Sequence, residues 1–488
     1  MREKRQRSPA GTGGIEMRRS HKALLVLLAT AVAVMAGSVT GAAANPPPET
    51  GTIDGANFKI EMPASWNGTL VLYSHGYVTP GSSLVAHDAG DPITAAWLLA
   101  NGYAIAGSSY SQNGWALQQA FHDQIALLGH FQDEHGKPAR TIAWGQSLGG
   151  IITAGLIQLH PERFAGAIPM CGVVAGGVGV WNQGLDAQFV LKTLAPEPAA
   201  SALQLVNITN RGFGTGSNFQ LAEFVAAQEQ ATPQGRARLA LVAAIGDTPG
   251  WFDPTSAEPA PGDFAAREVN QYKWDSQVDF PFLFALRAEL EGRAGGNPSW
   301  NTGVDYAKQL DRSINKPEVE ALYSQAGLNL QADLDKLADA PRISANQSAL
   351  AYLTRYIVFN GQLETPVLTM HTTGDGLVLP QDEQAYSSVV RSQDNSDLLR
   401  TTFVHRAGHC AFTPAETVTA FKTLIHRLNT GSWIDSTKAE AMNEAAAALG
   451  PGFNTLGGRT AVGPSFVQFH PSVFLRPFDA RNLEEGGD

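Results

Sequence analysis

Cysteine is almost missing from this chain: two residues in 488, Cys171 and Cys410, an even count that permits one disulfide in an oxidising compartment. Charge is sparse as well. Asp, Glu, Lys and Arg make up 16% of the residues, against roughly 25% in an average soluble protein. Basic residues are the minority, 34 against 45 acidic ones, for a formal net charge of −11. That balance excludes a phosphate-backbone binder, which needs a basic face, so no nucleic-acid partner is expected. Heptads and short-period repeats are absent too, which excludes a coiled coil and the common solenoids. Long apolar runs are confined to 23–36, a stretch too short to span a bilayer.

What is abundant points to a folded core. Hydrophobic residues reach 43%, alongside 50 Gly, 28 Pro and nine Trp. The length fits two or three domains, or one large α/β domain carrying an insertion. Ahead of the apolar run stand Arg2, Lys4, Arg5, Arg7, Arg18, Arg19 and Lys22; behind it comes Ala42-Ala43-Ala44. A basic n-region, a short h-region and an A-x-A site read as a secretory signal over 1–44. Its removal takes away seven basic and two acidic residues and moves the net charge from −11 to −16. The remaining chain is expected to be secreted, with no membrane partner.

Residues 45–50, with three consecutive prolines, read as an extended linker. From there strands and helices alternate. Strands are expected at 57–63, 68–74, 103–107, 140–144 and 165–170, with helices over 93–101, 113–134 and from the Gly-rich turn at 145–150 to about 160. The run Thr69-Leu70-Val71-Leu72-Tyr73, apolar throughout and ending at His75-Gly76, is what a strand buried on both faces looks like. Such alternation predicts an α/β fold with a mostly parallel sheet. It stops after Gly172. The next stretch, to Gln362, shows helical periods near 219–230, 234–245, 281–292, 317–326 and 345–358, separated by Pro and Gly. It resumes with a strand at 366–370, a helix at 381–392, a strand at 399–405 and a helix at 414–428. The expected organisation is therefore a core in two parts, 45–172 and 363–430, a helical cap over 173–362 inserted after strand six, and an extension over 431–488 with an Ala-rich helix at 438–448.

One motif carries chemistry. Gly145-Gln146-Ser147-Leu148-Gly149 has the G-x-S-x-G spacing, which alone is short enough to arise by chance. Here it follows a buried strand and opens a helix, the context of a nucleophile elbow. The turn strains Ser147, the flanking glycines admit neighbouring backbone, and the helix N-terminus faces the developing oxyanion. A serine hydroxyl needs a base, and the base an orienting carboxylate. Asp375, in the loop after the resumed strand, and His409, after the last strand, follow in the order Ser, acid, His. Asp382 and Asp397 compete less well because they lie away from a strand end, and His405 lies inside its strand. Oxyanion donors are expected from the backbone N–H groups of Leu148 and Tyr77, with Gly76 as the other option.

On these residues the chain resembles the α/β-hydrolase superfamily, over about 55–180 and 363–430. The resemblance implies a Ser147–His409–Asp375 serine hydrolase working through an acyl-enzyme, with no metal and no organic cofactor. It also implies a cap where the insertion lies. One detail is similar to the tannase and feruloyl-esterase group, in which a cysteine before the serine bonds to one after the histidine. Here Cys410 follows His409, but Gln146 precedes Ser147. Because Cys171 ends the strand beside the elbow strand, the expected pairing is Cys171–Cys410.

The expected activity is hydrolysis of carboxylic esters, small or polymeric. A cap with Trp181, Trp251, Trp274 and Trp300 suggests an apolar or aromatic substrate part. Two alternatives stand beside it. One is a secreted exopeptidase, with Glu223, Glu229 or Glu268 holding a free amino terminus. The other is a non-catalytic binding protein of the same fold. Oligomeric state leaves no mark in the sequence.

Overall fold

The computed structural model describes residues 44–433 and 437–476. The expected signal segment therefore lies, except for Ala44, outside the described residues. A nine-stranded sheet runs through the molecule. Its strands are β1 (Glu49–Ile53), β2 (Ala56–Glu61), β3 (Thr69–Ser74), β4 (Ala104–Ser108), β5 (Arg140–Gln146), β6 (Gly166–Met170), β7 (Val367–Gly374) and β8 (Leu399–Ala407), with a ninth at Phe466–Val467. They lie in the order β1-β2-β4-β3-β5-β6-β7-β8 with Phe466–Val467 at the far edge. β4, β3, β5, β6, β7 and β8 are parallel; β1, β2 and the ninth strand pair antiparallel. The expected α/β architecture is what forms. The segment read as a linker reaches only to Pro48, since Glu49 already pairs with Ile60.

Strand alternation builds two hydrophobic layers. Leu70, Leu72 and Ala143 face the helices α2 (Leu117–His135) and α3 (Leu148–Leu159). Val71, Tyr73, Ile142 and Trp144 face the opposite side, where α1 (Pro92–Ala100) and the helix Pro414–Thr430 supply Leu98, Phe421 and Leu424. With both faces covered, β3 has no exposed residue. This is why its sequence is a continuous apolar run.

Between β6 and β7 the chain is helical, from α4 (Gly176–Leu194) to the helix Gln347–Arg355. Much of this insertion packs around a hydrophobic cluster of its own, including Leu185, Val190, Leu241 and Phe284. Helix α4 is itself buried on nearly every side, and its first residues, Gly-Gly-Val-Gly-Val, hide the helical period in the sequence. Asp275–Asp279 and Pro281–Leu286 are wound as π-helix, so only the latter part of the expected helix at 281–292 is α, at Arg287–Ala294. The C-terminal extension ties both regions together. Phe466 pairs with Val404 at the sheet edge, and Arg476 Nε bonds Asp186 of α4 at 2.8 Å.

Candidate active site

Ser147 stands between the end of β5 and the start of α3, at φ 59° and ψ −124°. A non-glycine residue reaches such a conformation only when its surroundings impose it. Here the Ser147 N–H donates to Met170 O at 3.0 Å, and the Gly150 N–H donates to Ser147 O at 2.8 Å. The turn is also crowded. A Cβ on Gly145 would strike the Gly149 carbonyl, and one on Gly149 would strike the Ser74 carbonyl, so the elbow closes only with glycine at both places.

Three distant stretches of chain meet at this turn. Ser147 Oγ is 2.8 Å from His409 Nε2, and His409 Nδ1 is 2.7 Å from Asp375 Oδ2. Because a carboxylate only accepts, Nδ1 carries the proton donated to Asp375, which leaves Nε2 to accept from the serine hydroxyl. Of the competing residues, His405 is exposed beside Glu258, Asp397 is exposed, and Asp382 accepts from the Ala175 N–H. Tyr77 and Leu148, whose amides are the expected oxyanion donors, line the same cavity as Ser147.

Asp375 is fully buried yet held as an anion. Burial pushes its carboxyl up, but the charges and hydrogen bonds of His409 and His371 outweigh that and lower it. Its Oδ1 also accepts the N–H groups of Leu377 and Val378 at 3.0 and 3.1 Å. His371 lies inside β7, four residues before Asp375, and no sequence pattern marks it. Its Nε2 faces Val378 O at 2.9 Å and its Nδ1 faces Glu383 Oε1 at 3.1 Å. Both ring nitrogens thus point at acceptors, the arrangement of an imidazolium. Burial lowers its pKa, but the bonds to Asp375 and Glu383 win and raise it to about 10.

Cys171 and Cys410 are bonded, with Cα atoms 5.4 Å apart. The disulfide links the end of β6 to the residue after His409, and Cys410 Sγ lies 3.5 Å from His409 Nε2. Cys171, Cys410 and His409 lie close enough together for metal ligands, but each sulfur is consumed by the other, so no thiolate is on offer.

Above Ser147 the helical insertion closes a mainly apolar cavity. Trp181, Gly184, Ala187 and Gln188 present one face of α4, and Phe280, Phe282 and Leu283 come from the π-helical stretch. Of the four insertion tryptophans, Trp181 lines it; Trp115, ahead of the insertion, lines it as well. Trp274 packs instead beside Gly376, its Nε1 donating to Trp251 O at 2.8 Å. Glu223, Glu229 and Glu268 do not line the cavity: Glu223 is exposed, and Glu229 and Glu268 are buried elsewhere in the insertion. The acids that do line it are Asp275 and Asp279. Only tertiary packing brings them there, so no sequence pattern marked them.

The prolyl oligopeptidase family (Peptidase_S9) matches residues 98–176, the segment holding the elbow. Over 432 residues the chain is 31% identical to o-phthalyl amidase of Xanthobacter agilis, covering 82% of this chain and 90% of that protein. Among solved structures, feruloyl esterase B from Aspergillus oryzae aligns at 14% identity and a TM-score of 0.36, over 78% of this chain and 79% of its own. A Bacteroides ovatus protein assigned as a dipeptidyl aminopeptidase IV aligns at 11% identity and a TM-score of 0.33. That alignment covers 74% of this chain, which spans about a third (33%) of the Bacteroides protein. The chain belongs to the α/β-hydrolase superfamily, in one family with o-phthalyl amidase, and is a serine hydrolase.

Proposed function

We propose that the protein is a secreted enzyme that hydrolyses carboxylic esters through an acyl-enzyme on Ser147. The observation that carries this reading is the unbroken relay from Ser147 Oγ through His409 to Asp375, at 2.8 and 2.7 Å. His409 Nε2 takes the hydroxyl proton as Oγ attacks the carbonyl carbon. Asp375 stabilises the imidazolium that results, and the amides of Tyr77 and Leu148 hold the oxyanion. His409 then protonates the departing alcohol and later activates the water that releases the acid. Every step uses side chains and backbone of this chain. The insertion acts as a cap whose aromatic walls favour a flat or apolar acyl part. Residues 1–44 and the disulfide are consistent with export.

Kinship with an amidase favours a second reading, cleavage of an amide of an aromatic acid, since the same relay serves both bonds. One panel tests both: p-nitrophenyl esters of short and aromatic acids, phthalyl amides and aminoacyl nitroanilides, each run on the wild type and on Ser147→Ala. The expected result is ester turnover that falls about 10⁴-fold or more in Ser147→Ala, with a fluorophosphonate labelling Ser147. Turnover confined to phthalyl amides would select the second reading. Activity that survives Ser147→Ala, or a serine that resists labelling, would sink both.

A further inference from the structure

The lining of the cavity above Ser147 includes polar groups that hydrolysis as such does not use. Asp275 and Asp279 both line it, four residues apart on the π-helical stretch, where that spacing brings side chains to nearly the same face. Asp275 is 4% exposed; its Oδ1 reaches only the Thr248 hydroxyl at 3.5 Å, and its Oδ2 has no partner. Gln188 lies on the α4 wall and is 1% exposed. Its Nε2 donates to Leu283 O at 2.7 Å, which fixes the amide's orientation. The atom left free is therefore Oε1, an acceptor, and it too has no partner.

Three acceptor groups thus line one cavity, whose lining contains no lysine or arginine among the described residues. Unpaired acceptors in an apolar pocket cost free energy until a donor arrives, and a carboxylate costs most of all. Burial drives Asp275 up to about 8, and burial with the neighbouring charges of Asp275 and Asp375 drives Asp279 well above its usual range. A counter-cation placed beside them would offset that cost and let the carboxyls ionise. Nothing in the wall supplies one, so such a cation can come only with a ligand.

We propose that Asp275, Asp279 and Gln188 form a subsite for an alkylammonium group of the substrate, opening off the cavity that holds Ser147. This rests on the reading of that cavity as the substrate site, and it names a chemical class the ester and amide readings leave open. The donors of an ammonium group match three acceptors, and its charge lets the carboxyls ionise. The opposite sign is the rival: Tyr77 Oη, Trp115 Nε1 and Trp181 Nε1 also line the cavity without a partner, and these donors would favour a carboxylate.

Calorimetric titration of the full chain with n-hexylammonium, hexan-1-ol and hexanoate tests the proposal without relying on turnover. The expected result is hexylammonium binding at least about tenfold more tightly than either analogue. That preference should vanish in Asp279→Asn and in Asp275→Asn. It should persist in Glu229→Gln, which lies outside the cavity. Thermal melts identify any variant that fails to fold, and the other aspartate substitution then decides. Equal binding of all three ligands, a preference for hexanoate, or an ammonium preference that survives both substitutions would overturn the proposal. Ammonium binding in a chain that hydrolyses nothing would instead keep the subsite and retire the proposed function.

Discussion

Buried charge is handled differently on the two sides of Ser147. On the sheet side each buried ion has a built partner. Arg406 meets Glu416 through two bonds of 2.8 and 2.9 Å, and Asp375 is held between two imidazoles. In the insertion, Asp247, Glu268, Asp275 and Glu318 are pushed up to about 7 or 8, chiefly by burial. Asp382, pushed up to about 7, sits at the seam, bonded to the Ala175 N–H where the insertion begins. The sheet side spends its charges on holding one fixed geometry. The insertion also pairs Arg287 with Glu291 and Arg267 with Glu318, but it leaves Asp275 Oδ2 without a partner in the lining of the cavity. Such a division suits an enzyme whose chemistry stays constant while its specificity is written on a separate layer.

The contrast is broken most directly at Asp375. Asp375→Asn keeps the shape but removes the charge, so the expected loss in kcat is about 10⁴-fold with KM little changed. A loss below tenfold would mean that His409 is oriented by something else. His371 sharpens the same point. Once Asp375 no longer balances it, the imidazolium is over-charged, and the variant should also lose stability, read as a lower Tm.

The disulfide comes next. It closes a loop of 239 residues that contains the whole insertion, and the expected cost of replacing both cysteines by serine is about 3–5 kcal/mol. Urea unfolding measures it. If the sheet side is as self-sufficient as its ion pairs suggest, kcat should fall further than global stability predicts, because His409 is released next to Cys410. Unchanged kcat with a lowered unfolding midpoint would make the bridge a staple only.

pH separates the two regions by sign. An insertion acid with a raised folded pKa contributes stability that is complete below about pH 4 and is lost as pH rises through 7 to 8. Asp375, lowered in the fold, contributes above its unfolded value of about 4 and loses that contribution as pH falls below it. His371, raised to about 10, holds its contribution below its unfolded value of about 6.5 and loses it as pH climbs toward 10. Hydrogen exchange, corrected for intrinsic rates, should therefore show the insertion loosening between pH 5 and 8.5. The loosening of β7 and its neighbours over that range should be smaller. Asp247→Asn should flatten the insertion's response. Equal loosening on both sides would erase the distinction.

The same division decides what could be read from the sequence. β3, β5 and the elbow are legible because burial on both faces forces apolar runs, and a serine forced to φ 59° needs glycine around it. Asp375 and His409 are legible because they follow directly on strands whose ends converge. In the insertion, α4 leaves no period in the sequence, since a helix buried all round shows no polar face. The π-helical turns at 275–286 are legible only from 281, and there only as helix, since their period is not 3.6. The C-terminal extension shows only its Ala-rich helix, which forms at Ala439–Ala447; the rest of its worth lies in two long-range contacts without a pattern, Phe466 on β8 and Arg476 on Asp186.

The smallest test compares two threonine caps, one on each side. Thr413 begins the helix Pro414–Thr430 with a full capping box, its hydroxyl accepting the Glu416 N–H while Glu416 accepts the Thr413 N–H. Glu416 is also the partner of Arg406, so the cap is wired into the buried ion pair. Thr232 caps the insertion helix Pro233–Gly246 through a single bond to the Gly235 N–H at 2.9 Å. An N-cap Thr→Ala change costs about 0.5–2 kcal/mol. Thr413→Ala should fall at the upper end, because it loosens a carboxylate that cannot be left unpaired, and Thr232→Ala at the lower end. Denaturant midpoints at pH 7 measure both. If the two caps cost the same, the sheet side's ion pair holds Glu416 unaided, and the coupling of cap to charge drops out of the comparison.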